Sequence, residues 1–154
     1  MKLPNKNKGF TLIEILLVVA ILSVLLVVVF ASLNPAQRLI DARNARRWND
    51  VNQVLTAVHE CIIDNNLATC GLGTTVALSQ LGACAAGQGA VPCTGAATAC
   101  LDLTTELADY ISSTPVDPVD PGTDKTGYAI QVANGIVTVS ACSAEDAETI
   151  SVSR

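Results

Sequence analysis

The spacing of hydrophobic positions divides the chain. From Phe10 to Leu33 the residues are apolar except Thr11, Glu14, Ser23 and Ser32, and only Glu14 is charged. A helix of that length rises ~36 Å at ~1.5 Å per residue, against a bilayer hydrocarbon core of about 30 Å. The run is therefore predicted to be a membrane-spanning helix. Asn34-Pro35 follows and can kink or break it. Beyond that, Trp48, Val51, Leu55, Val58 and Ile62 recur every three or four residues, an apolar stripe of helical period. Arg47, Asn49, Asp50, Asn52, Gln53 and Glu60 fill the other positions as a polar face. This amphipathic helix is expected to end near Asp64-Asn65-Asn66, giving a rod of ~80 Å from Phe10.

After the rod the period shortens. Residues 69–100 are rich in Ala, Gly and Thr and read as a loop, with a short helix around Leu78–Cys84. Leu103, Leu107, Tyr110 and Ile111 suggest helical spacing within Leu101–Ile111. The prolines of Thr114–Gly122 forbid a central strand or helix there. Tyr128–Val132 and Ile136–Ala141 flank Ala133-Asn134-Gly135, and Asn-Gly suits a two-residue type I′ hairpin turn. A last strand, Thr149–Ser153, is expected to pair with that hairpin. The predicted fold is α+β: a long N-terminal helix, apolar then amphipathic, packed on a small antiparallel sheet.

Composition adds the means of holding such a head together. Aromatics are few in the 154 residues, so the core must rely on aliphatics and staples. Cys61, Cys70, Cys84, Cys93, Cys100 and Cys142 all follow the apolar run, and none forms a C-x-x-C pair. An even set confined to one side of a membrane segment reads as disulfides made in an oxidising compartment. Six cysteines allow 15 connectivities. We expect pairing in chain order, Cys61–Cys70, Cys84–Cys93 and Cys100–Cys142, with the two short loops contributing about 2–3 kcal/mol each.

Candidate chemistry begins at the N-terminus. A carboxylate inside a membrane-length helix costs about 2.5–3.5 kcal/mol or more, which suggests a function and a partner for Glu14. A secretory signal peptide has a shorter apolar core, of about 7–15 residues, followed by its small-residue cleavage site. Here the small residue, Gly9, stands before the run, after a leader bearing Lys2, Lys6 and Lys8. The Gly9-Phe10 junction, Glu14 and the uninterrupted apolar helix together resemble the N-terminus of type IV prepilins and related pseudopilins. The resemblance is close over residues 6–35.

That resemblance implies that residues 1–9 are a leader removed by a prepilin peptidase after Gly9, and that Phe10 is the methylated new N-terminus. Residues 10–33 would be the transmembrane and filament-core helix, residues 34–66 its amphipathic extension, and residues 67–154 the globular head. Glu14 would then set axial register in a homo-oligomeric helical filament by meeting a neighbour's new amine. The implied partners are the prepilin peptidase, the membrane assembly machinery and the lipid bilayer before assembly. Charge counting leaves orientation undecided, because Arg38, Arg43, Arg46 and Arg47 flank the other side. The motif and the cysteines place the N-terminus in the cytoplasm, with the product in an extracellular filament. The arginines then meet lipid headgroups and later acidic neighbours, or form a solvated helix face.

From Val51 onward the basic side chains are Lys125 and Arg154, against eleven carboxylates. Such a head repels phosphate, and the footprint of nucleic-acid binding is missing. Asp117, Asp120 and Asp124 before a strand form a calcium candidate of the kind major pseudopilins carry, although EF-hand spacing is absent and Asp-Pro turns also simply direct the chain. His59, the sole histidine, and Trp48 read as surface, interface or packing residues. No phosphate loop or Ser/His/Asp constellation stands out, so a non-enzyme without cofactors is expected. Three roles follow: a type IV pilin, a type II secretion pseudopilin, or a membrane-anchored binding module that never polymerises.

Overall fold

A computed structural model of the chain describes residues 9–154. The leader positions 1–8 lie outside the described residues. The chain forms two compact units, one reaching to Leu39 and the other spanning Ile40–Arg154.

The first unit is dominated by helix α1, Leu12–Leu33, in which no residue is buried. Its start is dictated locally. Thr11 is extended (φ −82°, ψ 150°), and its Oγ1 accepts the Glu14 N–H at 3.3 Å while Glu14 Oε2 accepts the Thr11 N–H at 3.3 Å, completing a capping box. Ser23 donates its hydroxyl to the Val19 carbonyl at 2.8 Å, so this hydroxyl is satisfied within the apolar helix. The end is equally local. Asn34 takes a left-handed conformation (φ 40°) and Pro35 opens the next helix. A residue preceding proline is pushed out of the right-handed helical region, asparagine tolerates the left-handed one, and proline suits a first helical position. The break that Asn34-Pro35 allows is present: two helices separated by one residue.

In the second unit, helix α2 (Pro35–Asp64) buries Val51, Val54, Leu55, Ala57, Val58 and Cys61. It packs on a four-stranded antiparallel sheet of order β1-β2-β3-β4. The strands are β1 Val76–Gly82, β2 Lys125–Ala133, β3 Ile136–Ala141 and β4 Ser151–Ser153. Tyr128, Ile130 and Val132 of β2 and Val137 and Val139 of β3 join the α2 residues in one core, each at most 2% exposed. The predicted hairpin forms, with Asn134 and Gly135 both at positive φ (53° and 78°), as a type I′ turn needs. β4 pairs with β3 as expected, starting at Ser151.

The opposite sheet face, carrying Gln80, Ala129 and Ser140 in register, is also covered. Gln80 is fully buried, and its amide, once oriented by its partners, donates to the carbonyls of Gly89 (2.9 Å) and Val91 (3.1 Å). The segment between β1 and Leu101 therefore folds over that face and returns beside β1, where Leu101 N–H donates to the Gln80 carbonyl at 2.7 Å.

Several expectations are corrected here. Residues 78–84 lie mainly in strand β1, not in a helix. Register shifts between Val76 and Ser79 and between Gln80 and Gly82 erase the strand's alternation. Leu101–Ile111 forms successive turns. Leu107 and Ile111 donate to carbonyls four residues back, but Ala108 and Tyr110 donate three back, so the helix does not propagate. Leu103 and Leu107 are nevertheless buried, as their spacing implied. Cys61–Cys70 forms as expected. The other two bridges are Cys84–Cys100 and Cys93–Cys142, in place of Cys84–Cys93 and Cys100–Cys142. The return of the covering segment along β1 brings Cys100 to Cys84. Cys142, next to the end of β3, meets Cys93 in that covering segment.

Candidate functional site

Two places concentrate polar chemistry. The first is the start of α1. Phe10 is 81% exposed, and a Cβ built on Gly9 would meet no atom within 4 Å. Among the described residues no neighbouring atom would crowd a side chain at this position. Glu14 is held against Thr11, whose hydroxyl also lies 3.4 Å from Glu14 Oε2. The carboxylate thus caps its own helix and remains at an exposed end.

The second place lies between α2, the proline-rich segment and the β3–β4 connection. Arg43, Asn44, Arg47 and Trp48 fall on one side of α2, one helical turn apart. Arg47 is fully buried and donates from Nε and Nη2 to the two oxygens of buried Asp117 at 2.7 and 2.9 Å. Its Nη1 donates to Glu145 Oε2 at 2.9 Å and to Asn44 Oδ1 at 2.8 Å. Arg43 grips the same Glu145 from Nε and Nη2 at 2.6 and 2.5 Å. Asn44 donates to the Glu145 carbonyl at 2.9 Å and accepts its N–H at 3.1 Å, mimicking a backbone partner. Glu148 accepts from Asn44 Nδ2 (2.7 Å) and Trp48 Nε1 (2.8 Å). Deeper, the Tyr128 hydroxyl donates to Asp50 Oδ2 at 2.6 Å.

The electrostatics follow from these contacts. The hydrogen bond from Arg43, then that from Arg47, holds the Glu145 carboxyl down to about 2. Arg47 is pushed up chiefly by its bond to Asp117, against the cost of burial. Burial, then the bond to Asp50, pushes the Tyr128 hydroxyl up. Gly127 makes the closest approach possible: it sits at φ +78°, and a Cβ there would lie 2.7 Å from Asp117 Cβ.

This cluster is where residue-by-residue reading fell short. Arg47 and Asp50, placed on the polar face by spacing, are buried. Arg43 and Arg47 meet acids of their own chain, while Arg46, 60% exposed in its side chain, lies 3.7 Å from Asp50. The calcium candidates are not brought together. Asp117 is held by Arg47, Asp120 Oδ1 accepts the Gly122 N–H at 2.8 Å, and Asp124 stands at φ 61°. Among the described residues no group of three His, Cys, Asp or Glu side chains is placed to hold a metal ion. His59 is half-buried, with Nε2 lacking a hydrogen-bond partner. Its neighbour Cys61 is in a disulfide and offers no thiol.

No curated protein and no solved structure matches the chain. A family model does match, over residues 4–30, and its description is the prokaryotic N-terminal methylation motif. An exposed glycine junction, a carboxylate at the fifth residue counted from Phe10 and an unburied apolar helix thus coincide with the prepilin motif of type IV pilins and pseudopilins, and the chain carries that motif.

Proposed function

We propose that this chain is the structural subunit of a type IV pilus, anchored in the cytoplasmic membrane as a precursor and polymerised through α1 into a surface filament. The observation that carries this reading is α1 itself, a 22-residue apolar helix with no buried residue, headed by the methylation motif. Such a surface needs lipid or other helices around it, and the motif supports both in succession. Prepilin peptidase cuts after Gly9, Phe10 is methylated, and Glu14 exchanges its own helix cap for the amine of a neighbouring subunit. That pairing offsets the cost of both charges and fixes axial register. The head acts without catalysis. Its cysteines are all in disulfides, staples suited to a fibre exposed to proteases and shear.

The test is to shear filaments from cells making the protein and analyse their N-terminus by mass spectrometry. N-methyl-Phe10 in abundant surface filaments is the expected result. A processed chain that stays in a short envelope filament and is needed for secretion assigns it to the pseudopilins instead. An uncut, monomeric chain in gentle detergent overturns both. Glu14→Ala should be cleaved normally yet fail to enter filaments; normal assembly of that variant removes the register role.

A further inference from the structure

One buried guanidinium holds two segments that are far apart in sequence. Arg47 is 0% exposed and spends Nε and Nη2 on Asp117 of the proline-rich segment and Nη1 on Glu145 of the β3–β4 connection. Each segment is otherwise tied down elsewhere. Asp117 N–H donates to the Thr126 carbonyl at 2.8 Å, and Asp117 Oδ1 accepts the Val119 N–H at 2.8 Å. The connection is held by Arg43, Asn44 and Trp48. Among the described residues, Arg47 is the side chain that hydrogen-bonds both acids.

We propose that Arg47 is a coupling residue that makes segments 114–121 and 142–149 open and close together. Glu145, 27% exposed in its side chain, stands on the solvent side of a pair whose own side chains are fully buried. When the connection lifts, water reaches the Arg47–Asp117 pair, and the low effective dielectric that keeps it strong is lost. When Asp117 lets go, Arg47 loses its anchor and holds Glu145 less well. Coupling of this kind is reciprocal.

Hydrogen exchange by mass spectrometry on the full chain in mild detergent tests this. Glu145→Gln should speed exchange at least about three-fold in 142–149 and also in 114–121. Asp117→Asn should do the converse. Arg43→Gln, which loosens the connection without touching the Arg47–Asp117 pair, should also speed both segments, because the two open together, while β2 and β3 keep their rates. If 142–149 speeds and 114–121 does not, or if β2 and β3 speed by the same factor as both segments, the coupling is absent. Should Asp117→Asn fail to fold, Glu145→Gln and Arg43→Gln, both acting on the connection, still decide the matter.

Discussion

Tyr128 shows how much a single side chain settles here. Its ring fills the centre of the sheet's inner face, and its hydroxyl is the donor that meets Asp50 at the edge of the core. Tyr128→Phe keeps the ring and removes the donor, so it should cost about 1.5–3 kcal/mol, the range for hydrogen bonds to charged groups. Chemical denaturation of the two proteins measures that difference; less than about 0.5 kcal/mol means that Arg46 or water already satisfies Asp50. Glu145 predicts a pH dependence. Its folded pKa lies below the ordinary 4.5, at about 2, so its contribution is complete above about pH 4.5 and is lost as pH falls toward 2. Thermal melts should lose stability across that window, and Glu145→Gln should flatten that part of the profile. At this scale legibility depends on whether a residue breaks its local pattern. Glu14 is a charge where none belongs and Gly9 a small residue at a junction, so both stand out in the sequence, within the stretch that the methylation motif matches. Arg47 and Asp50 sit among ordinary polar helix positions, and nothing in their spacing separates an inward-turned charge from a solvated one. Their partners lie 70 and 78 residues away.

Between elements, loop length ranks the disulfides. Cys93–Cys142 spans 49 residues, Cys84–Cys100 16 and Cys61–Cys70 9. In the chain-entropy account the long bridge contributes about 4 kcal/mol and each shorter one about 3 kcal/mol. It also pins the covering segment to the far face of the sheet. Paired replacement Cys93→Ala/Cys142→Ala should therefore lower the melting temperature more than Cys61→Ala/Cys70→Ala. An equal or reversed order indicates that the covering segment is held mainly by Gln80 and the edge of β1. The hairpin was legible because Asn-Gly between alternating strands is a local signal, and α2 because its stripe from Trp48 to Ile62 runs for about four turns. β1 was not, since its bulges conceal alternation and its strand partner, β2, begins more than forty residues later. Disulfide connectivity depends on that same non-local path, which chain order does not encode.

At the scale of the whole molecule, charge is unevenly placed. From Ile40 to Arg154 thirteen carboxylates face five cations, a net of −8. Between Trp48 and Asp124 there is no Lys or Arg at all. Trypsin should therefore cut the folded chain after exposed Arg38 and Arg46 ahead of partly covered Lys125, and leave the head largely intact. Rapid cleavage after Lys125, seen as two pieces that separate only on reduction, means that the start of β2 frays. The acidic balance also keeps isolated heads apart at low salt, and that repulsion is screened as ionic strength rises.

Asn34 is the smallest feature with the widest reach. Its left-handed backbone ends one helix, and Pro35, with no N–H to give, starts another, so the hydrogen-bond ladder of α1 stops there. In the function proposed above, lipid and then a bundle of neighbouring helices are different solvents for α1. Because the ladder is cut, fraying or bending of α1 in such an exchange should end at Asn34. The first turn of α2, and the ion pairs built on the turns after it, should then keep their geometry.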